Sequence, residues 1–159
     1  VDVQSLWPDG ARVAVVKEPT ESGEGVHRKN QPWGPMWRIE IASPRRATER
    51  TFLQVITTDA ASAKPRPAQR LVGEQLIGAR AAAGDKQWAV VFAETEDGGQ
   101  ITLSRGVNAA LVAGLLPGKR YRARVAPEKN CALELRAAND GDLRANPGGF
   151  VKVDVSPCR

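Results

Sequence analysis

Residues 36–59 read MWRIEIASPRRATERTFLQVITTD. Trp37, Ile39 and Ile41 alternate with Arg38 and Glu40, the period of two that sends successive side chains to opposite faces of a strand. A second apolar run, Phe52, Leu53, Val55 and Ile56, follows after a connection crowded with Arg45, Arg46 and Arg50. Neither run carries an evident catalytic side chain. The pattern is that of an antiparallel sheet with one packed face and one wet face.

The same period recurs outward from this stretch. Residues 11–16 (ARVAVV), 36–42, 51–57, 87–94 (QWAVVFAE), 100–104 (QITLS), 121–125 (YRARV), 131–137 (CALELRA) and 150–155 (FVKVDV) all read as strands. Residues 70–82 (RLVGEQLIGARAA) read as one bent strand or two, with Gly73 and Gly78 at the bends. EDGG at 96–99 carries the Asp-Gly signal of a tight hairpin. In LPGK at 116–119, Pro117 presets one backbone angle and Gly118 permits positive φ. The one helix-like stretch, RAAAGD, is too short to stand alone. The predicted fold is all-β: an antiparallel β-sandwich of roughly eight to ten short strands with little or no helix.

Parity then sorts the side chains. Trp37, Ile39, Ile41, Tyr121, Val125, Leu133, Leu135, Val151, Val153 and Val155 are expected to point inward. Arg38, Glu40, Arg122, Arg124, Glu134, Arg136, Lys152 and Asp154 are expected to point outward. A single sandwich domain over residues 1–159 is expected, with long loops at about 18–35 and 60–69 where glycine and proline gather. The length suffices for a core without metal support, and the 42% apolar content is that of a globular chain. No window approaches the run of about 18 apolar residues that crosses a membrane, so no membrane span is expected.

Chemistry is thinly represented. His27, the only histidine, falls in a loop beside Arg28 and Lys29, and reads as an exposed loop residue rather than a base. Tyr121, the only tyrosine, opens a strand at inward parity and reads as a core residue with its hydroxyl hydrogen-bonded. The acidic run ANDGD at 138–142 lacks the spacing of a calcium-binding loop. No catalytic set, cofactor or metal site is expected. Cys131 and Cys158 are the two cysteines. A disulfide between them is the expectation, placing the chain in an oxidising compartment, secreted or periplasmic; two unpaired thiols are the alternative.

The positive signal is arginine. The net charge is +5, a balance that attracts anions. Arg120, Arg122 and Arg124 share one face of a strand at steps of about 7 Å, and guanidinium groups bind carboxylate and sulfate bidentately. With Arg45, Arg46 and the loop aromatic Trp33, they form the candidate ligand-binding set. A solvated strand face, salt-bridged to a neighbour such as Glu134, is the competing reading.

Several phrases fall in a telling order: LWPDGARVAVV, KNQPW, WRIEIASP, TFLQVITT, VGEQLIGAR, WAVVFAE and LVAGLLPGKRYRARV. Their sequence resembles the C-terminal β-sandwich region of heparinase II/III-like polysaccharide lyases. The resemblance implies an accessory or structural sandwich beside a catalytic domain N-terminal to this chain, touching acidic polysaccharide rather than nucleic acid. No catalytic motif of the family is present to carry over. Two other readings remain open: a free-standing anionic-glycan-binding or adhesive module, and a structural subunit that assembles by strand exchange.

Overall fold

A computed structural model describes residues 2–17, 37–45, 51–57, 67–127 and 130–155. Thirteen strands lie along them: β1 (Asp2–Trp7), β2 (Arg12–Lys17), β3 (Trp37–Ala42), β4 (Leu53–Thr57), β5 (Gln69–Val72), β6 (Leu76–Ala83), β7 (Lys86–Ala93), β8 (Gly98–Thr102), β9 (Ala109–Ala113), β10 (Arg120–Ala126), β11 (Ala132–Ala137), β12 (Leu143–Arg144) and β13 (Val151–Asp154). The protein is all-β, as its alternation predicts. Three strands go beyond the sequence reading: β1, the alanine-rich β9 and the two-residue β12. The whole of the expected loop at 18–35, and residues 60–66 of the second loop, lie outside the described residues.

The chain forms two compact units, Val1–Leu6 with Leu53–Arg159, and Trp7–Phe52. In the larger unit a four-stranded sheet, ordered β12-β10-β11-β8, packs on a five-stranded sheet, ordered β13-β9-β7-β6-β5. A further two-stranded sheet pairs β1 with β4. The ladders are antiparallel except between β7 and β9, which run parallel. A parallel pair needs a crossover, and β8 supplies it by leaving for the opposite sheet before β9 returns. The Asp-Gly turn at 96–99 is therefore not a hairpin. It carries the chain from β7 in one sheet to β8 in the other.

The core is one cluster drawn from both sheets. Val91, Val112 and Leu76 meet Leu133, Leu135, Ile101 and Tyr121, all essentially inaccessible to solvent. Of the expected inward set, Tyr121, Leu133, Leu135, Val151, Val153 and Val155 are buried, and Val125 is half-buried. The Tyr121 hydroxyl donates to Glu96 O at 2.8 Å and accepts from Leu116 N at 3.1 Å. This is a tyrosine corner, tying the start of a strand back to the turn before it. Within that turn Gly118 takes φ 77° and Lys119 N donates to Leu116 O at 3.1 Å, the closed turn that Pro-Gly predicts.

One flank of the sandwich is sealed through backbone. Between β5 and β6 the segment Gly73–Gln75 turns out to meet β8: Glu74 N donates to Gln100 O at 2.7 Å, and Gln100 N to Glu74 O at 2.9 Å. A Cβ on Gly73 would lie 2.0 Å from Gln100 O, and one on Gly99 2.2 Å from Glu74 O. Only glycine permits backbones to approach this closely. Gly73 thus marks the expected break. Gly78 does not, since it sits inside a continuous β6.

The smaller unit holds β2 and β3 as a two-stranded antiparallel ribbon, with Val13 opposite Ile41 and Val15 opposite Ile39. The expected burial of the Ile39 and Ile41 face is not realised there: Ile39 is exposed and Ile41 half-buried, beside exposed Val13 and Val15. Among the described residues of this unit the two strands form one layer, and no second layer covers its apolar face. Arg38 and Glu40, outward as expected, pair at 2.7 Å.

Candidate anion-binding face

β10 enters the four-stranded sheet from the Pro-Gly turn with Tyr121, Ala123 and Val125 turned toward the core side. The intervening Arg120, Arg122 and Arg124 must then share the outer face, and all three are exposed. The antiparallel register adds two arginines that a strand-by-strand reading misses. Arg144 on β12 lies directly opposite Arg120, and Arg136 on β11 lies directly opposite Arg122. Directly opposed pairs share a face. The result is a stripe running diagonally over three strands, Arg144, Arg120, Arg122 and Arg136, with Arg124 one step further along β10.

Like charges directly opposed across a ladder are destabilising, so each guanidinium needs compensation. Arg122 pairs with Asp140. Arg136 donates to Glu134 at 3.2 Å. Arg120 donates to Gly141 O at 3.2 Å, and Arg144 to Gly118 O at 3.1 Å. Arg124 faces Glu134 in the register, but its side chain makes no hydrogen bond or ion pair among the described residues. The two carboxylates leave the face with a positive surplus. Both ion pairs are solvent-exposed on both sides, so each stabilises by no more than about 1 kcal/mol and can exchange its carboxylate for another anion.

The rest of the sequence-derived set is not gathered here. Arg45 belongs to the smaller unit, exposed, with Ser43 Oγ donating to its carbonyl at 2.9 Å. Arg46, Trp33 and His27 lie outside the described residues. Trp88 is half-buried. Its register opposite Ala81 puts it on the outer face of the five-stranded sheet, where the Lys152 ammonium covers its ring at 5.4 Å. Cys131 is fully buried and is not a free thiol. Cys158, the other end of the expected disulfide, lies outside the described residues.

Asp140, in the acidic ANDGD turn, is engaged by Arg122. No group of three or more His, Cys, Asp or Glu arranged to hold a metal ion occurs among the described residues. No helix there is long and apolar enough to cross a membrane. Neither family models, nor curated proteins, nor solved structures yield a match to this chain.

Proposed function

We propose that this protein is a non-catalytic β-sandwich that contacts acidic polysaccharide through the outer face of its four-stranded sheet. The observation that carries the reading is the pair of opposed arginines, Arg120 with Arg144 and Arg122 with Arg136. Each like-charge pairing is unfavourable, and an anion on the face would relieve it beyond what Asp140 and Glu134 already supply. A carboxylate or sulfate between opposed guanidiniums converts repulsion into bidentate attraction. The order of short phrases resembling heparinase II/III-like lyases supports a uronate or sulfated glycan as the polyanion, and an accessory place beside a catalytic domain. The expected disulfide between Cys131 and Cys158 would accord with a secreted or periplasmic location.

Glu74 already meets the β8 edge, while β5, β12 and β13 end their sheets, so the glycan reading rests on the arginine face itself. The test is retention on a heparin column. Replacing Arg120, Arg122 and Arg124 together by Ser is expected to lower the eluting salt while leaving the circular dichroism spectrum unchanged, since all three side chains are exposed. Elution of the triple variant with the parent would mean that the stripe is a solvated surface.

A further inference from the structure

At its β12 end the arginine stripe runs into a cleft. It is lined by Pro117 and Gly118 of one turn, Asn146 and Pro147 of another, and Arg144 and Ala145 of the segment leading into the second. The cleft has a volume of 530 Å³ and a mostly apolar lining. Pockets for small molecules occupy about 300–1,000 Å³ and combine apolar walls with a few placed polar groups.

Hydrogen bonds hold both turns. Gly118 N donates to Ala145 O at 2.9 Å and Ala145 N to Lys119 O at 3.0 Å. The second turn is closed by Gly149 N to Asn146 O at 2.9 Å and pinned by Phe150 N to Asn146 Oδ1 at 3.1 Å. The Arg144 guanidinium is oriented through Nε by Gly118 O. Its terminal nitrogens make no other hydrogen bond among the described residues. A fixed cation in an open, mostly apolar cleft is therefore available to a ligand, and the same cation is the first member of the stripe.

We infer that this cleft seats one uronic acid residue of the polysaccharide, with its carboxylate on Arg144 and its ring against Pro117 and Pro147. The inference rests on the proposed glycan-binding face and makes it directional. A sugar enters the cleft, and the following residues of the polymer cross the sheet over Arg120, Arg122 and Arg136. The prolines offer C–H surface to the apolar side of a pyranose, and the guanidinium forks onto its carboxylate. A bare anion would use only the second contact.

The experiment is amide chemical-shift mapping of the full chain with free glucuronate, alongside sodium sulfate at matched ionic strength. Saturable shifts at Gly118, Arg144 and Ala145 are expected with glucuronate and not with sulfate. Arg144→Gln and the cleft-filling Pro147→Trp are each expected to weaken glucuronate binding about tenfold, the size of one lost charge-assisted contact. Arg105→Gln, which removes the same charge at another exposed position, is expected to leave it unchanged. No saturable shift at the cleft, equal shifts with sulfate, or retained binding in both cleft variants would each overturn the inference. Heparin retention of the Arg120, Arg122 and Arg124 triple variant reads the face separately. A face that binds polymer with a cleft silent to glucuronate defeats the cleft alone, whereas a triple variant retained like the parent defeats the face itself.

Discussion

Tyr121 donates its hydroxyl hydrogen to the carbonyl oxygen of Glu96 at 2.8 Å, linking the first residues of β10 to the turn between β7 and β8. The Tyr121 hydroxyl oxygen in turn accepts from Leu116 N at 3.1 Å. One side chain thus fixes the Pro-Gly turn, the crossover turn and the core beneath them. Tyr121→Phe keeps the ring and deletes both hydrogen bonds, and is expected to cost about 1–3 kcal/mol. Tyr121→Ser also empties the ring site, at about 3–5 kcal/mol. Urea unfolding of the three proteins is the measurement. Equal midpoints for parent and Tyr121→Phe would mean that the hydroxyl contributes nothing.

A second prediction concerns glycines that look alike in sequence and differ in space. A Cβ on Gly78 would lie 2.2 Å from Val90 O and 2.8 Å from Val91 Cα, both backbone atoms in the middle of the five-stranded sheet. Neither can move without disturbing the ladder. A Cβ on Gly84, in the turn between β6 and β7, meets nothing within 4 Å, and its only handicap is φ +64°. Gly84→Ala is expected to cost roughly 1–2 kcal/mol. Gly78→Ala is expected to cost more, in the range of about 1–3 kcal/mol or above that overpacking produces. Thermal unfolding compares them, and a Gly78→Ala variant as stable as Gly84→Ala would show that the sheet yields locally.

Period and parity made the sandwich legible, because burial of one face leaves alternation in the sequence. Leu133, Leu135, Val151 and Val153 were placed that way. β9 was not, since AALVA offers small, nearly uniform side chains with no alternation to read. The parallel pairing of β7 with β9 was equally hidden, being set by which sheet the chain crosses to and not by local pattern. Ile39 departs for a different reason: alternation reports a strand's capacity to bury a face, and among the described residues the two-stranded ribbon has no second layer. The arginine row was visible along β10, but Arg136 and Arg144 joined it only through register. Pairing YRARV with ALELRA in antiparallel register would have revealed Arg136. Arg144 could not be found that way, because β12 is only two residues long.

The diagonal arrangement has its own consequence. If polymer crosses the strands, Arg136→Ser with Arg144→Ser should lower heparin retention as much as Arg120→Ser with Arg122→Ser, although the first two residues lie on different strands. Exposed charge contacts of this kind contribute on the order of 1 kcal/mol or less each. At roughly 0.5 M salt the screening length falls to a few ångströms, so most retention should be lost there. Arg45→Ser, in the smaller unit, should change elution little. An Arg45→Ser effect larger than that of the Arg136 and Arg144 pair would relocate the binding surface.

The disulfide is the last expectation open to measurement. Cys131 is wholly inaccessible to solvent and sits at φ 63° immediately after Asn130 at φ 52°. Consecutive residues outside the favoured backbone region are held there only when surrounding contacts compensate, since left-handed backbone costs roughly 1–2 kcal/mol per residue. Cys131 O accepts from Leu103 N at 3.0 Å, fixing the backbone. A covalent link to Cys158 would fix the side chain and stabilise the fold by roughly 3–4 kcal/mol through the loop it closes. Burial by itself would shield a native thiol from reagents, so alkylation must be done in denaturant without reductant. Mass spectrometry should then find no alkyl group on either cysteine, and reductant should lower the urea midpoint. Two alkylated cysteines under those conditions would overturn the pairing and remove its support for an oxidising compartment.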